Sequence, residues 1–400
     1  MPTYTYVARS RDGRKQSGAM TVENRQALNR ALRARGMIVE SVQIKGARRA
    51  SRGPRVKSAE LLVFTRQLST IVSAGLPLLQ GLDILAEQIE DARFAGVVQQ
   101  IGRDVEGGDS FSDALRKYPR VFSDLFVSMV RSGEASGNLD GVLAELASYI
   151  EAMEELKRRI KSAMMYPVVA FSMILLIAAG LIVFVVPQFA EIFGSFGAEL
   201  PLPTRILMQI SDTLRSIKAL LFVGIIAAII FAIRVYGQTS VGKYNLDALK
   251  LRLPVFGKLL RKVAISRFTR TLSTLTRSGV AILGALEIAE RTAGNEVFAR
   301  TVRQAGDSVR QGETLAEPLA RSGQYPAMVT RMIEVGEKTG ALDAMLAKIS
   351  DFYDSEVRAT IDGLTSLIEP ILILFMGIVV GGIVIALFMP ILQLSSLVGQ

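Results

Sequence analysis

The sequence of 400 residues contains no cysteine, no histidine and no tryptophan. The lack of cysteine excludes disulfides, thiolate metal sites and cysteine nucleophiles, and it is compatible with a reducing compartment. The lack of histidine removes the usual general base, so neither Ser-His-Asp nor Cys-His catalysis is available. A metal site would depend on carboxylate and carbonyl oxygens, which suit only hard ions such as calcium or magnesium. We therefore expect a protein that is not an enzyme and that needs no cofactor.

Two local patterns are weak candidates for ligand sites. Gly-Glu-Lys-Thr at Gly336 resembles part of a phosphate-binding loop, but that loop needs Gly and Lys adjacent and a second Gly where position 331 is Arg. Carboxylates that could hold a divalent cation cluster at three places, although most such clusters are the solvated face of a helix. The three clusters are Glu87, Glu90 and Asp91; Glu151, Glu154 and Glu155; and Asp351, Asp354 and Glu356. We expect neither nucleotide hydrolysis nor a bound metal.

Half of the residues are apolar and the formal net charge is +10. A nucleic-acid-binding protein would use this positive charge as its binding surface, whereas a polytopic membrane protein would concentrate it on the cytoplasmic side. Three long apolar runs favour the membrane protein, and we expect no nucleic-acid binding.

The first and last apolar runs are long enough to span a bilayer. No charged residue lies between Ser162 and Ala190, and the segment 168–186 would reach roughly 28 Å as a helix, close to the hydrocarbon thickness. The chain is again uncharged from Pro370 to Gln400, and the segment 371–392 can span.

The middle run is shorter. It has fifteen uncharged residues, 219–233, for which a buried soluble helix is a fair alternative to a span. Snorkelling of Lys218 and Arg234 would lengthen it enough to cross. Basic residues precede the first run and follow the middle run, whereas the segment 188–217 has few, so the positive-inside rule favours three spans with both repeats in the cytoplasm.

Two segments of the chain occur twice. The sequence Phe-Thr-Arg-Gln-Leu-Ser-Thr at Phe64 returns as Phe-Thr-Arg-Thr-Leu-Ser-Thr 204 positions later, at Phe268. The sequence Gly-Glu-Ala-Ser-Gly-Asn-Leu-Asp at Gly133 returns as Gly-Glu-Lys-Thr-Gly-Ala-Leu-Asp 203 positions later, at Gly336. These spacings predict two copies of a module of about a hundred residues. Repeated modules are typical of a scaffold that offers similar surfaces more than once.

Each copy is predicted to form a compact helical bundle. In the first copy, apolar residues recur at helical spacing from Ser58 until Gly75 ends the helix, and Pro77 suits the first turn of the next helix. The glycine pair 107–108 breaks a third helix, and Ser110 opens a short fourth one. A further helix is predicted to end near the first glycine of the repeated turn, and a long last helix then runs towards the membrane.

The repeated turns and the starts of two spans supply the candidate functional residues. The turn residues are candidates for partner contacts or simply for bundle turns: Gly133, Glu134, Gly137, Asp140, Gly336, Glu337, Gly340 and Asp343. A turn is the simpler interpretation, although a repeated and exposed glutamate favours a contact. The candidates at the starts of the spans are Pro167, Glu369 and Pro370.

The predicted fold class is a predominantly α integral membrane protein with two repeated cytoplasmic helical bundles, three transmembrane helices and a small N-terminal α+β module. The N-terminal module has a ββαβ pattern with a hairpin turn at Asp12-Gly13 and a helix from Thr21 to about Arg35. In chain order the predicted segments are the module 1–45, a basic linker 46–57, bundle 58–161, span 167–187, periplasmic connection 188–217, span 218–236, cytoplasmic region 237–369 with the second bundle at about 262–369, span 370–392 and periplasmic tail 393–400.

Taken together, these motifs resemble the inner-membrane platform family of type II secretion and type IV pili, the GspF and PilC proteins. The resemblance covers essentially the whole chain and includes both repeated signatures, the two Pro-marked span starts and the order of three spans. The segments 187–196 and 253–257 are more similar to the pilus branch than to the secretion branch.

The resemblance implies a function that composition alone does not. Members of this family lie in the bacterial inner membrane as oligomers with a cytoplasmic N-terminus. They are expected to dock on a hexameric assembly or retraction ATPase, to pass pilin or pseudopilin subunits into or out of a fibre, and to contact other inner-membrane pilus or secretion components. The long helices at 139–161 and 342–368 are the natural levers, since each joins a bundle to a span.

Three alternatives stay open from the sequence. A platform of a type II secretion system has the same layout. A transporter would need more spans and more polar groups within them. An anchor that works without a motor could also carry repeated bundles, and binding of a hexameric ATPase would distinguish it from a platform.

Overall fold

The computed structural model describes residues 3–10, 15–21, 37–45, 54–195, 200–254 and 256–398. The chain divides into two compact units, 1–134 and 135–400. The division falls within the last turn of the helix Asp124–Ser136, so the long helix that follows belongs to the second unit.

The first unit begins with a three-stranded antiparallel sheet. Its strands are β1 (Thr3–Ser10), β2 (Lys15–Thr21) and β3 (Met37–Lys45), in the order β2-β1-β3. The register between β1 and β3 shifts at Val7 and Ala8. The predicted helix after Thr21 and most of the predicted linker lie outside the described residues.

Five helices of the first repeat follow. They are α1 (Ser58–Ser73), α2 (Leu78–Gln88), α3 (Ala92–Glu106), α4 (Phe111–Arg116) and α5 (Asp124–Ser136). Asp91 caps α3 and Ser110 caps α4, each by accepting a backbone N–H in the first helical turn. The core of this bundle includes Phe64 of α1, whose ring centroid lies 5.4 Å from that of Phe94.

The central part of the chain holds the first long helix and its connections. The elements are α6 (Leu139–Gly180), a π-helical turn (Leu181–Val185), α7 (Val186–Ser195), α8 (Leu202–Arg215), α9 (Ile217–Tyr236) and α10 (Ser240–Arg252). The segment 188–217, predicted as a periplasmic connection, therefore contains helix.

The second repeat has the same succession of helices as the first. Its elements are α11 (Phe256–Arg277), α12 (Ile282–Thr292), α13 (Glu296–Arg310), α14 (Ala316–Arg321), α15 (Ala327–Thr339) and the long α16 (Leu342–Val398). The last helix continues to Val398, so the predicted tail from residue 393 is part of the helix as far as this residue.

Within the described residues, two helical runs are long and apolar enough to cross a membrane. They extend over Leu139–Ile192 and Leu342–Met389. The third predicted span, α9, passes the same test only in combination with α10, from which it is bent by 111°. Length and composition therefore give two spans, or three spans if the bent pair α9 and α10 forms one further span.

Candidate functional site

The repeated turn is shorter than the sequence pattern suggests. The prediction that a helix ends near Gly133 is wrong, since α5 continues through this residue to Ser136. The helix ends at Gly137, whose φ of 71° lies in the left-handed region that glycine adopts without strain. The second copy is equivalent, because α15 contains Gly336 and ends at Gly340, also with a φ of 71°.

Glu134 and Glu337 accept hydrogen bonds from equivalent backbone N–H groups in the two repeats. The two oxygens of the Glu134 carboxylate accept the backbone N–H groups of Phe111 and Ser112 at 2.6 and 3.0 Å. Those of Glu337 accept the N–H groups of Leu315 and Ala316 at 2.6 and 3.1 Å. Each carboxylate therefore binds the donors at the start of the short fourth helix, which no intrahelical acceptor satisfies.

These two glutamates are half-buried, whereas the sequence pattern suggested exposed side chains. The remaining turn residues lie beside them. A Cβ atom on Gly336 would come within 2.9 Å of Leu342 Cα, so only glycine allows this close approach. Asp140 and Asp343 lie in the first turns of α6 and α16, where a negative charge complements the helix dipole.

Replacing Glu337 by Gln tests this bidentate contact. The amide oxygen still accepts one N–H group, but the amide NH₂ then faces the second donor, and the charge is lost. We expect the free energy of unfolding to fall by about 2 kcal/mol, which lowers the midpoint of thermal unfolding by about 4–8 °C for the full chain in detergent. The control is Glu334→Gln, an exposed glutamate of the same helix that pairs with Lys338, for which we expect a change within about 0.5 kcal/mol. Equal midpoints for the two variants would contradict the prediction.

The span starts lie inside continuous helices. Pro167 is buried within α6, and Pro370 is exposed within α16 next to the exposed Glu369. Neither proline ends its helix. In both repeats, the helical segment before the proline and the apolar segment after it thus form one unbroken helix.

Three helices that are distant in sequence meet before the span starts. A buried apolar cluster joins α6, α11 and α16 and consists of Leu156, Leu259, Val263, Val357 and Ile361. Sequence reasoning did not find this cluster, because its members are up to about two hundred residues apart. We call this meeting point the three-helix junction.

Polar contacts link α11 to α16 at the three-helix junction. Lys262 Nζ donates to Glu356 Oε2 at 2.7 Å and to Thr360 Oγ1 at 2.8 Å. One residue, Asp354, accepts hydrogen bonds from both Ser266 and Arg270. Further along, Ser273 Oγ donates to the backbone oxygen of Asp343 at 3.0 Å. Because rising residue numbers on α11 meet falling numbers on α16, the two helices are antiparallel.

A second set of contacts links α11 to α6. The Tyr149 and Thr271 hydroxyls are 3.1 Å apart, and an Arg277 nitrogen lies 3.4 Å from Glu145 Oε1. Burial raises the pKa of Tyr149 above its ordinary value, so this phenol stays neutral near pH 7. Helix α11 therefore contacts both long helices.

The family described as type II secretion system protein F matches residues 64–187 and 268–390, and the N-terminal domain of the same proteins matches residues 1–43. The chain belongs to this family. Relatives include the type IV pilus assembly protein PilC of Thermus thermophilus, 44% identical over 98% of both chains, and PilC of Myxococcus xanthus, 40% identical over 98% of this chain and 95% of the relative. The type II secretion system protein F of Pseudomonas aeruginosa is 34% identical over the full length of both. The resemblance inferred from the repeated motifs is confirmed.

Both matched protein F domains begin at the phenylalanine of the repeated signature, but their surroundings differ. In the second domain Thr271 and Thr274 are buried, because α6 packs against them. The equivalent residues of the first domain, Gln67 and Thr70, are exposed. The second copy of the signature thus contacts the long helix α6 on this face.

Several carboxylates of the acidic clusters are engaged in contacts with basic side chains. Within the described residues, no group of three or more acidic side chains is arranged to hold a metal ion. Asp354 and Glu356 bind Arg270 and Lys262, as described above. The carboxylate of Asp91 accepts hydrogen bonds from Arg93, which hold its pKa at about 2.

Proposed function

We propose that this protein is the inner-membrane platform of a type IV pilus assembly machine. In this role it couples a cytoplasmic hexameric ATPase to the insertion or extraction of pilin subunits and performs no covalent chemistry itself. The two pilus relatives reported above, at 44% and 40% identity, support the pilus branch over secretion, where the relative is 34% identical. The observation that carries the mechanical part is the continuity of α6 and α16 from helical segments outside the membrane into apolar spans.

The three-helix junction supports a specific route for coupling. Helix α11 opens the second bundle and contacts both long helices through buried apolar residues and hydrogen bonds. A displacement of this bundle by a motor would therefore move the cytoplasmic parts of both long helices together. Since each helix is unbroken at its proline, the displacement would continue into the spans.

The proposed arrangement in the membrane follows from charge. The N-terminus and both bundles lie in the cytoplasm, α9 forms a third span, and the connection that contains α8 lies in the periplasm. Helix α8 carries an exposed apolar stripe of Leu202, Ile206, Ile210 and Leu214, which suits the boundary between lipid and water. The working form is a homo-oligomer in the bacterial inner membrane, in contact with other pilus components.

Breaking the long helices tests the coupling. Lys157→Gly with Arg158→Gly introduces two adjacent glycines at exposed positions of α6, and each lowers local helix stability by about 1 kcal/mol relative to alanine. The control is the pair Lys157→Ala and Arg158→Ala, which removes the same charges and keeps the helix. We expect cells that carry the glycine pair to lose surface pili in electron micrographs, and cells that carry the alanine pair to keep them.

The equivalent test in α16 uses Arg358→Gly with Ala359→Gly, both exposed, against Arg358→Ala alone. Membrane levels of every variant are measured by immunoblot, so that loss of the protein is separated from loss of coupling. Normal piliation with glycine pairs in both helices would refute the mechanical proposal. Loss of protein secretion with normal piliation would instead assign the chain to a secretion system.

A further inference from the structure

The second unit contains a cavity of about 310 Å³ next to the three-helix junction. This volume lies at the small end of the range of roughly 300–1,000 Å³ for ligand sites. Its wall is formed by helices from both sides of the junction, and most of its lining side chains are apolar. Those that define its length are Met164 of α6, Phe256 of α11 and Ile361, Leu364 and Ile368 of α16.

One end of the cavity adjoins the predicted membrane surface. Ile368 immediately precedes Glu369, and Met164 lies three residues before Pro167. Because α11 and α16 are antiparallel, the Phe256 end of α11 lies near this same end. The lining of α16 from Ile361 to Ile368 extends over about 10 Å, at 1.5 Å per residue.

Arg267 lies at the opposite end and is the unusual residue of the lining. Its Nε is buried without a hydrogen-bond acceptor, and no acidic side chain among the described residues pairs with its guanidinium. The guanidinium lies beside Gly294, where a Cβ would be 2.7 Å from Arg267 Nη1. Arg267 as a whole is half-buried, and a partly desolvated guanidinium without an anionic partner is destabilising.

Among the described residues that line the cavity, the one acid, Asp247, is already neutralised. The Asp247 carboxylate accepts a hydrogen bond from Lys250 Nζ at 2.8 Å and another from the backbone N–H of Glu296 at 2.9 Å. Arg267 therefore leaves one uncompensated positive charge at the end of an apolar cavity. An anionic oxygen ligand would satisfy it.

We propose that this cavity binds an anionic phospholipid. The phosphate is held by Arg267, and the first part of an acyl chain lies along the apolar residues of α6, α11 and α16 towards the membrane. Such a ligand complements both features of the cavity: its phosphate pairs with the positive charge at one end, and its hydrocarbon packs against the apolar wall. Exposed basic residues near this membrane end, such as Arg252 and Lys258, favour anionic lipids in the adjacent leaflet, from which the ligand would enter.

The test is native mass spectrometry of the full chain released from nanodiscs of equal parts phosphatidylglycerol and phosphatidylcholine. We expect the wild type to retain one phosphatidylglycerol, and Arg267→Gln to lower this retention about tenfold. The matched control is Arg261→Gln, which makes the same charge change at an exposed position of the same helix and should retain the lipid.

A second variant keeps the test valid if Arg267→Gln fails to fold. Ala163→Leu narrows the apolar part of the cavity without a charge change and is also expected to lower retention. Retention of phosphatidylcholine at the same level, or equal losses in Arg267→Gln and Arg261→Gln, would overturn the proposal. Displacement of the lipid by millimolar inorganic phosphate would also overturn it and assign the site to free phosphate.

Discussion

Replacing Asp354 by Asn is expected to lower the free energy of unfolding of the second unit by about 3 kcal/mol. Asp354 binds Ser266 and Arg270, and both members of its ion pair are largely buried, with exposed fractions of 18% for Asp354 and 21% for Arg270. Asparagine keeps an acceptor for the serine but leaves the arginine charge without its main partner. A second acid near Arg270 is Asp351, at 3.8 Å, but it is 74% exposed and compensates the arginine charge little.

The measurement is the thermal midpoint of the full chain in detergent, and we expect a decrease of about 6–12 °C. Asp362→Asn provides the control, since it removes the same charge from an exposed position of α16 and should change stability by less than about 0.5 kcal/mol. The prediction fails if the two variants have the same thermal midpoint. In that case the contacts between α11 and α16 would depend on the apolar cluster alone.

Local features of the sequence predicted the order of the helices well. Helix boundaries in the bundles follow from residues that act within one turn, such as Ser110 at the start of α4 and the glycines that end helices. The two repeated segments predicted the duplication without any knowledge of tertiary contacts. Both kinds of signal are short-range, and therefore they are readable from the chain itself.

The roles of individual residues were harder to predict, because they depend on distant partners. Glu134 binds N–H groups more than twenty positions earlier, at Phe111 and Ser112, and its exposed appearance in the sequence was misleading. The three-helix junction joins residues of both repeats, and no local pattern marks it. Gly133 and Gly336 were interpreted as turn residues because glycine commonly ends helices, whereas a close approach to Leu342 explains Gly336 inside its helix.

The most conspicuous repeated segment is a core segment in both copies. Phe64 and Phe268 are at most 1% exposed, and the Leu residues of both signatures are fully buried. In the first copy, the rings of Phe94 and Phe122 contact Phe64. In the second copy, the ring of Tyr325 contacts Phe268, and Phe298 in turn contacts Tyr325. The repetition of this signature is therefore explained by packing within each bundle. It needs no repeated partner surface.

Phe268→Ala is accordingly expected to destabilise the second bundle by about 3–5 kcal/mol. The ring of Phe268 has no exposed surface and lies 5.3 Å from the ring of Tyr325 in an edge-to-face arrangement. Its removal costs the transfer free energy of the side chain and leaves a cavity, because the neighbouring helix backbones relax only in part. Loss of packing against α11 would also loosen the three-helix junction, since the same helix binds α6 and α16.

Thermal unfolding and limited proteolysis of the full chain together measure this effect. We expect Phe268→Ala to lower the melting midpoint by about 6–20 °C and to expose the second repeat to early cleavage. The control is Phe352→Ala on α16, a ring that is 45% exposed and whose removal should cost less than about 1 kcal/mol. If Phe268→Ala unfolds at the same temperature as this control, the signature is not a core element, and its duplication would require a partner that both copies contact. Early cleavage confined to the second repeat would instead show that each signature stabilises its own bundle.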